Sequence, residues 1–155
     1  MQIIKPDLNP ELLTDTKTNA LYHQLQNLLN LLEQKKISPE TLQKINLETE
    51  AINSTSLRDK DLHKMLKEKQ NQIIKTLEKD HKIVPRNYYR NIWLAAGMGA
   101  FGLPIGVAFG LLIGNIALLS IGLPIGMAIG IGVGTSLDKK AEAEGRQLDI
   151  EIKHY

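Results

Sequence analysis

Apolar residues in the first third of the chain recur at Leu21, Leu25, Leu28 and Leu32, with Leu29 beside them. Steps of four, three and four put these side chains on one helix face, so the pattern predicts a helix over 10–36. Only about two heptads are visible, so this face is expected to pack within the chain. Ser38-Pro39-Glu40 reads as a helix start, with Ser38 as N-cap and proline in the first turn. Leu42, Ile45 and Ile52 form the apolar side of that second helix, and Asn53-Ser-Thr-Ser56 breaks it. A third helix is expected over 57–82, with Leu62, Leu66, Ile73 and Leu77 on its apolar face. Its lysines, Lys60, Lys64, Lys67, Lys75 and Lys79, fall largely on the other faces, and Val84-Pro85 closes it.

The pattern then changes kind. From Ile92 to Leu137 there are 46 residues without a single charge. A bilayer core of about 30 Å needs about 20 apolar residues per helix, so this stretch is long enough for two crossings. Gly114-Asn115 at its midpoint suits a turn. The expected spans are therefore about 92–113 and 116–137, joined as a hairpin. A buried hairpin in a water-soluble core is the competing reading. It is disfavoured because each interior glycine costs about 1 kcal/mol relative to alanine in water. A domain this small also has little with which to cover two uncharged helices.

The apolar stretch contains a repeat. Phe101-Gly-Leu-Pro-Ile-Gly-Val-Ala-Phe-Gly110 returns as Ile121-Gly-Leu-Pro-Ile-Gly-Met-Ala-Ile-Gly130. Each copy extends into glycines four residues apart: Gly102, Gly106, Gly110 and Gly114, then Gly122, Gly126, Gly130 and Gly134. Four-residue spacing lines one helix face with glycine, where two backbones can approach. The expectation is a glycine zipper that holds copies of the chain together. Gly97 and Gly99 fall outside the series and are expected to tolerate alanine. Pro104 and Pro124 flank the turn at similar depth, and each removes a helical hydrogen bond and favours a kink. Two kinks at one level suit a hinge or waist; simple inheritance through the duplication explains them equally well.

Charge gives orientation. Arg86 and Arg90 precede the first span, Lys139 and Lys140 follow the second, and the turn has no charge. By the positive-inside rule both termini face the cytoplasm. Tyr88, Tyr89 and Trp93 cluster where an aromatic interface belt would sit. Residues 58–90 hold ten basic and five acidic residues, a local excess of five positive charges, although the whole chain is only +2. The basic face of the third helix is either a plain solvated surface or a contact for anionic lipid headgroups or a phosphate-bearing ligand. The candidates for that contact are Lys60, Lys64, Lys67, Lys75, Arg86 and Arg90.

The resulting organisation is an all-α membrane protein. A cytoplasmic helical domain at 1–85 leads through a basic, aromatic interface linker at 86–91 to the hairpin at 92–137. A charged cytoplasmic tail follows at 138–155. Its first part is expected to prolong the second span as far as Gly145, a helix cap. Gln147-Leu-Asp-Ile-Glu-Ile-Lys153 then alternates with a strand period, and Gln2-Ile-Ile-Lys5 is its expected pairing partner. The start of the chain, Met1-Gln-Ile-Ile-Lys-Pro, lacks the basic-then-apolar form of a signal peptide, which points to a bacterial inner membrane.

Catalytic chemistry finds little foothold. There is no cysteine. His23, His63, His81 and His154 have no metal-ligand spacing, and no phosphate loop or nucleophile elbow appears. Asp80-His81 are helix neighbours that point apart. No enzyme activity, cofactor or metal is expected.

In its order of parts (cytoplasmic helices, basic segment, two spans, charged tail) the chain resembles small two-transmembrane effectors of bacterial anti-phage systems, among them Hailong-type channel effectors. The resemblance implies a toxin-like homo-oligomer that permeabilises the inner membrane. It further implies an anionic nucleotide or oligonucleotide ligand, since in that family a nucleotidyltransferase partner makes a DNA oligomer that holds the channel shut. It transfers no individual functional residue. The leading expectation is thus an oligomeric pore or ion channel gated through its cytoplasmic helices. A membrane-anchored module that recruits a protein or nucleic acid is the alternative, and a purely structural role in membrane organisation is a third.

Overall fold

The computed structural model describes residues 2–115 and 119–153, without the Leu119 side chain. The first residues of the second expected span, 116–118, and His154 lie outside the described residues. The chain divides into two compact units, Met1–Pro85 with Leu148–Tyr155, and Arg86–Gln147.

The first unit is a helical bundle. Helices α1 (Thr16–Leu32), α2 (Pro39–Asn53) and α3 (Asp59–His81) follow one another, and α3 packs against both α1 and α2. Leu21, Leu25, Leu28, Leu29 and Leu32 are all buried, together with Ile45, Ile52, Leu62, Leu66, Ile73 and Leu77. The leucine stripe of α1 is therefore consumed inside the chain. The expected helix over 10–36 starts later, at Thr16, because Asp15 takes the N-cap: its Oδ2 accepts from the Thr18 amide and hydroxyl, both at 2.9 Å. Pro10–Leu12 forms a separate 3₁₀ turn capped by Asn9. Ser38 caps α2, with Pro39 at its first position. Lys82, in the left-handed region at φ 56°, ends α3 ahead of Val84-Pro85.

Strand β1 (Val84–Arg86) pairs with β2 (Gln147–Glu151). This corrects the expected pairing of the tail with residues 2–5. The N-terminal segment is held by amide side chains instead. Asn46 donates to the Gln2 carbonyl and accepts from the Ile4 amide, both at 2.9 Å. Asn53, two turns on, donates to the Lys5 carbonyl at 3.1 Å and accepts from the Asp7 amide at 2.8 Å. Each amide group supplies the donor and acceptor that a neighbouring strand would, so residues 2–7 need no ladder. Gln24 does the same for the backbone N–H and C=O of Lys153, at 2.9 and 3.2 Å, while also reaching Gln70.

The second unit is a helical hairpin. Helix α4 (Tyr88–Gly97), a π-helical turn (Met98–Gly102) and α5 (Leu103–Ile113) run without a break and pack against α6 (Leu119–Ala143). The first apolar helix thus begins at Tyr88 rather than 92, so most of the expected linker is helix. At the other end α6 carries Lys139 and Lys140 within it. Gly114 at φ 70° caps α5, and Gly145 at φ 67° follows the end of α6. These are left-handed positions that glycine occupies without steric cost.

Candidate functional site

In the hairpin the buried positions between Arg86 and Leu137, among the described residues, are all glycine: Gly97, Gly102, Gly106, Gly110, Gly122, Gly126, Gly130 and Gly134. The approach is backbone to backbone. A Cβ on Gly126 would lie 2.5 Å from the Gly102 nitrogen, and one on Gly122 would lie 2.6 Å from the Gly106 Cα. A Cβ on Gly97 would lie 2.8 Å from the Gly130 Cα, and one on Gly134 would lie 2.5 Å from the Arg90 Cα. The pairs Gly102/Gly126 and Gly106/Gly122 bracket Pro104 and Pro124, which therefore stand at one level.

Two glycines depart from the sequence expectation. Gly114 is outside the packed face: it is exposed, and a Cβ there would meet nothing within 4 Å among the described residues. Its role is the left-handed cap. Gly97 takes a place on the face, while Gly99 borders open space. The reason is the π-turn. Gly97 precedes Gly102 by five residues, one more than the series allows. In an unbroken α-helix that extra residue would carry Gly97 about 100° off the face. A π-turn closes on the fifth residue, here with the Leu103 amide donating to the Met98 carbonyl. Pro104 favours this departure from α geometry without compelling it. It has no N–H, and its ring clashes with the carbonyl four residues earlier in a regular helix. Pro124, within the same Gly-Leu-Pro-Ile-Gly pentapeptide, sits in continuous α-helix.

The four-residue series of α6 continues past Gly134 to Asp138. This carboxylate is 6% exposed and crosses to the start of α4. The Tyr89 amide donates to Oδ1 at 3.0 Å and the Arg90 amide to Oδ2 at 2.9 Å. Asn87, at φ 58°, makes no side-chain capping bond to α4, so Asp138 caps that helix from the far strand of the hairpin. It satisfies two of the amides that a helix start leaves unpaired, at the end where the dipole favours negative charge. Its role is not apparent from local sequence, although its place one step beyond Gly134 is a visible signal.

The outer faces are apolar and open. Phe101, Leu103, Val107, Phe109, Ile121 and Ile125 are all exposed. Two helices, Tyr88–Ile113 and Ser120–Ala143, are long and apolar enough to cross a membrane, and only 22% of each apolar window is buried. Most of each window is therefore open rather than covered within the chain. Tyr88 and Tyr89 meet edge to face at 5.3 Å near the charged end, with Trp93 one turn further along.

In the first unit, Lys60, Lys64 and Lys75 are exposed and Lys67 is half-buried, spread along α3. Lys60 lines a cleft of about 440 Å³ with Asp15, Lys17, Thr18, Asp59 and His63. The Thr18 hydroxyl, 3.3 Å from His63 Nδ1, is committed to Asp15, and the Thr18 amide and hydroxyl hold that carboxyl below the usual carboxylate range. Asp80 is likewise held low by Lys44 and by the Thr41 hydroxyl, each at 2.9 Å. The Asp15 bonds cap α1 within its own first turn, and the Asp80 bonds join the first part of α2 to the end of α3. Comparison with known protein families, curated proteins and solved structures finds no match to this chain.

Proposed function

We propose that the chain is an integral membrane protein whose hairpin crosses the bilayer twice, leaving both ends on the cytoplasmic side of a bacterial inner membrane. It works there as a homo-oligomeric pore or ion channel governed by its water-facing helices. The observation that carries this reading is the hairpin stretch from Ile92 to Leu137, which has no charge and in which, among the described residues, every buried position is glycine and no large apolar side chain is buried. Such a rod needs an apolar surround. In lipid, helices associate through close packing rather than hydrophobic drive. Two helices packed backbone to backbone enclose no pathway, so conduction requires several copies. The glycine faces are occupied within each hairpin, so copies meet on the outer apolar faces. With no charge between Ile92 and Leu137, the pathway is an apolar constriction that gates by wetting rather than a charged filter. Regulation through an anionic nucleotide or oligonucleotide on the α3 lysines and a toxin-like part in antiviral defence belong to this proposal.

Purified protein reconstituted in liposomes is expected to carry current or release a small dye, and to run as a defined oligomer in detergent. A monomer that passes no current at any voltage overturns the pore.

One observation favours a second reading. The glycine packing and the Asp138 cap are completed inside a single chain, as a self-sufficient anchor requires. In that case the bundle recruits a protein or nucleic-acid partner and any hairpin would serve. Replacing the hairpin with an unrelated two-span anchor separates the two: retained activity supports the anchor, and lost activity supports the pore.

A further inference from the structure

We propose that the charged end of the hairpin, formed by Arg90, Lys139 and Lys140, is a binding surface for anionic phospholipid headgroups; this rests on the membrane reading above. The antiparallel packing joins cations from two distant parts of the chain. Gly134 approaches Arg90 so closely that a Cβ on it would lie 2.5 Å from the Arg90 Cα. The last turns of α6 therefore stand beside the first turn of α4. Arg90, Lys139 and Lys140 are all exposed there, as is Arg86 just ahead of α4.

The carboxylate next to Lys139 in sequence is committed to backbone. Asp138 is turned inward, buried, and bonded through both oxygens to the amides of Tyr89 and Arg90. Its charge answers the helix start. Lys139 and Lys140 follow it at about 100° and 200° around α6, away from the packed face. Beyond it along the same helix and its end, Glu142 lies a turn further from the apolar stretch, and Glu144 pairs with Arg146.

Height along the helices identifies the partner. The uncharged stretch begins at Ile92 and ends at Leu137, immediately inside these cations. At headgroup level, beside Tyr88, Tyr89 and Trp93, long cationic side chains such as these can lay their stems on apolar surface while keeping their charges among the headgroups. A zwitterionic headgroup brings its own cation and offers no net complement. An anionic one does.

Trp93 is the chain's single tryptophan and lies one turn from Arg90. It therefore reports the lipid at this surface. The full chain is reconstituted in phosphatidylcholine vesicles containing either brominated phosphatidylglycerol or brominated phosphatidylcholine at the same mole fraction. Trp93 is expected to be quenched more strongly by the anionic lipid, and high salt is expected to reduce the difference. In the R90Q/K139Q/K140Q variant the preference is expected to fall roughly five-fold per cation removed. Equal quenching by both lipids in the wild-type protein overturns the surface while leaving membrane insertion standing. A preference that survives in the triple variant overturns the assignment to these residues. Absence of quenching by either lipid overturns the membrane reading itself.

Discussion

Asp138 is bonded to the backbone of Arg90 from the opposite helix, its Oδ2 accepting the Arg90 amide at 2.9 Å while Oδ1 accepts from Tyr89. A residue that ends one helix's glycine series thus starts the other helix. The two ends of the hairpin cannot separate without leaving a carboxylate and two amides to find new partners. Asp138→Ala is expected to destabilise the hairpin by about 1–2 kcal/mol, the range for loss of an N-cap. Asp138→Asn keeps acceptor capacity and should lose less. Unfolding of the reconstituted protein, followed by helical signal, measures both. A wild-type midpoint for Asp138→Ala would show that the cap is dispensable.

Alanine at the glycines discriminates between packing and mere composition. Gly126→Ala places a methyl group 2.5 Å from the Gly102 nitrogen, where only backbone can yield. Overpacking of this kind costs about 1–3 kcal/mol. Gly97→Ala meets the Gly126 and Gly130 backbone and should behave alike, whereas Gly99→Ala meets nothing within 4 Å among the described residues and should be neutral or slightly stabilising. Distance between spin labels on α5 and α6 reads the separation. Equal tolerance at Gly97 and Gly99 would contradict the register described here.

How far the sequence discloses this arrangement depends on the range of the interaction. The bundle's apolar periodicity is local, and Leu21, Leu25, Leu28 and Leu32 are buried together as their spacing predicts. The Ser38 cap and the helix after Pro39 are equally local. The pairing of the C-terminal strand is not, because Asn46 and Asn53 lie on a helix and only the folded chain puts them beside residues 2–7. A single helical period carried through the first span puts Gly97 off the packed face, and the π-turn at Met98–Gly102 returns it. The identical pentapeptides at Gly102–Gly106 and Gly122–Gly126 follow different backbones, π-turn and α-helix, so local sequence does not decide between them.

The amide clamps can be tested apart from the membrane. Asn46 is 3% exposed and carries both ends of its bond to the N-terminal segment. Asn46→Leu keeps similar bulk and removes both. Hydrogen exchange at the Ile4 amide should accelerate markedly, with α1 protection unchanged. Stability should fall by about 1 kcal/mol per bond lost, the net worth of a hydrogen bond whose freed backbone group can turn to water. Unchanged exchange at Ile4 would mean that another group holds the segment.

Acid should loosen the bundle at two identified places, the cap of α1 and the contact between α2 and α3. Asp15 is held low by the Thr18 amide and hydroxyl, and Asp80 by Lys44 and Thr41. A carboxylate with a depressed folded-state pKa contributes stability fully above its ordinary value of about 3.8. That contribution is lost as pH falls through the depressed folded-state value. Bundle stability should therefore decline below pH of about 4, and an Asp15→Asn, Asp80→Asn variant should show a flatter acid limb. An identical limb in the variant would move the effect to other carboxylates.

Replacement of Pro104 offers the sharpest test of the hairpin, because helix propensity and register predict opposite signs. Alanine is better than proline in a helix interior by about 3 kcal/mol in water, so Pro104→Ala viewed locally should stabilise the span. In the hairpin, Pro104 follows the π-turn at Met98–Gly102 that brings Gly97 onto the packed face. Alanine restores the missing N–H and removes the ring, which frees this turn to relax to α-helix. Gly97 would then rotate about 100° away from Gly130 and bring a neighbouring side chain into a gap sized for glycine. The packing between α4 and α6, and the Asp138 bonds beyond it, should weaken despite the improved propensity. Pro124→Ala disturbs no π-turn, since α6 is continuous there, and should follow propensity instead. Solid-state amide measurements on the two variants read the backbone directly, and spin-label distances near Arg90 and Gly134 read the consequence. If Pro104→Ala and Pro124→Ala shift hairpin stability alike, the π-turn does not set the register.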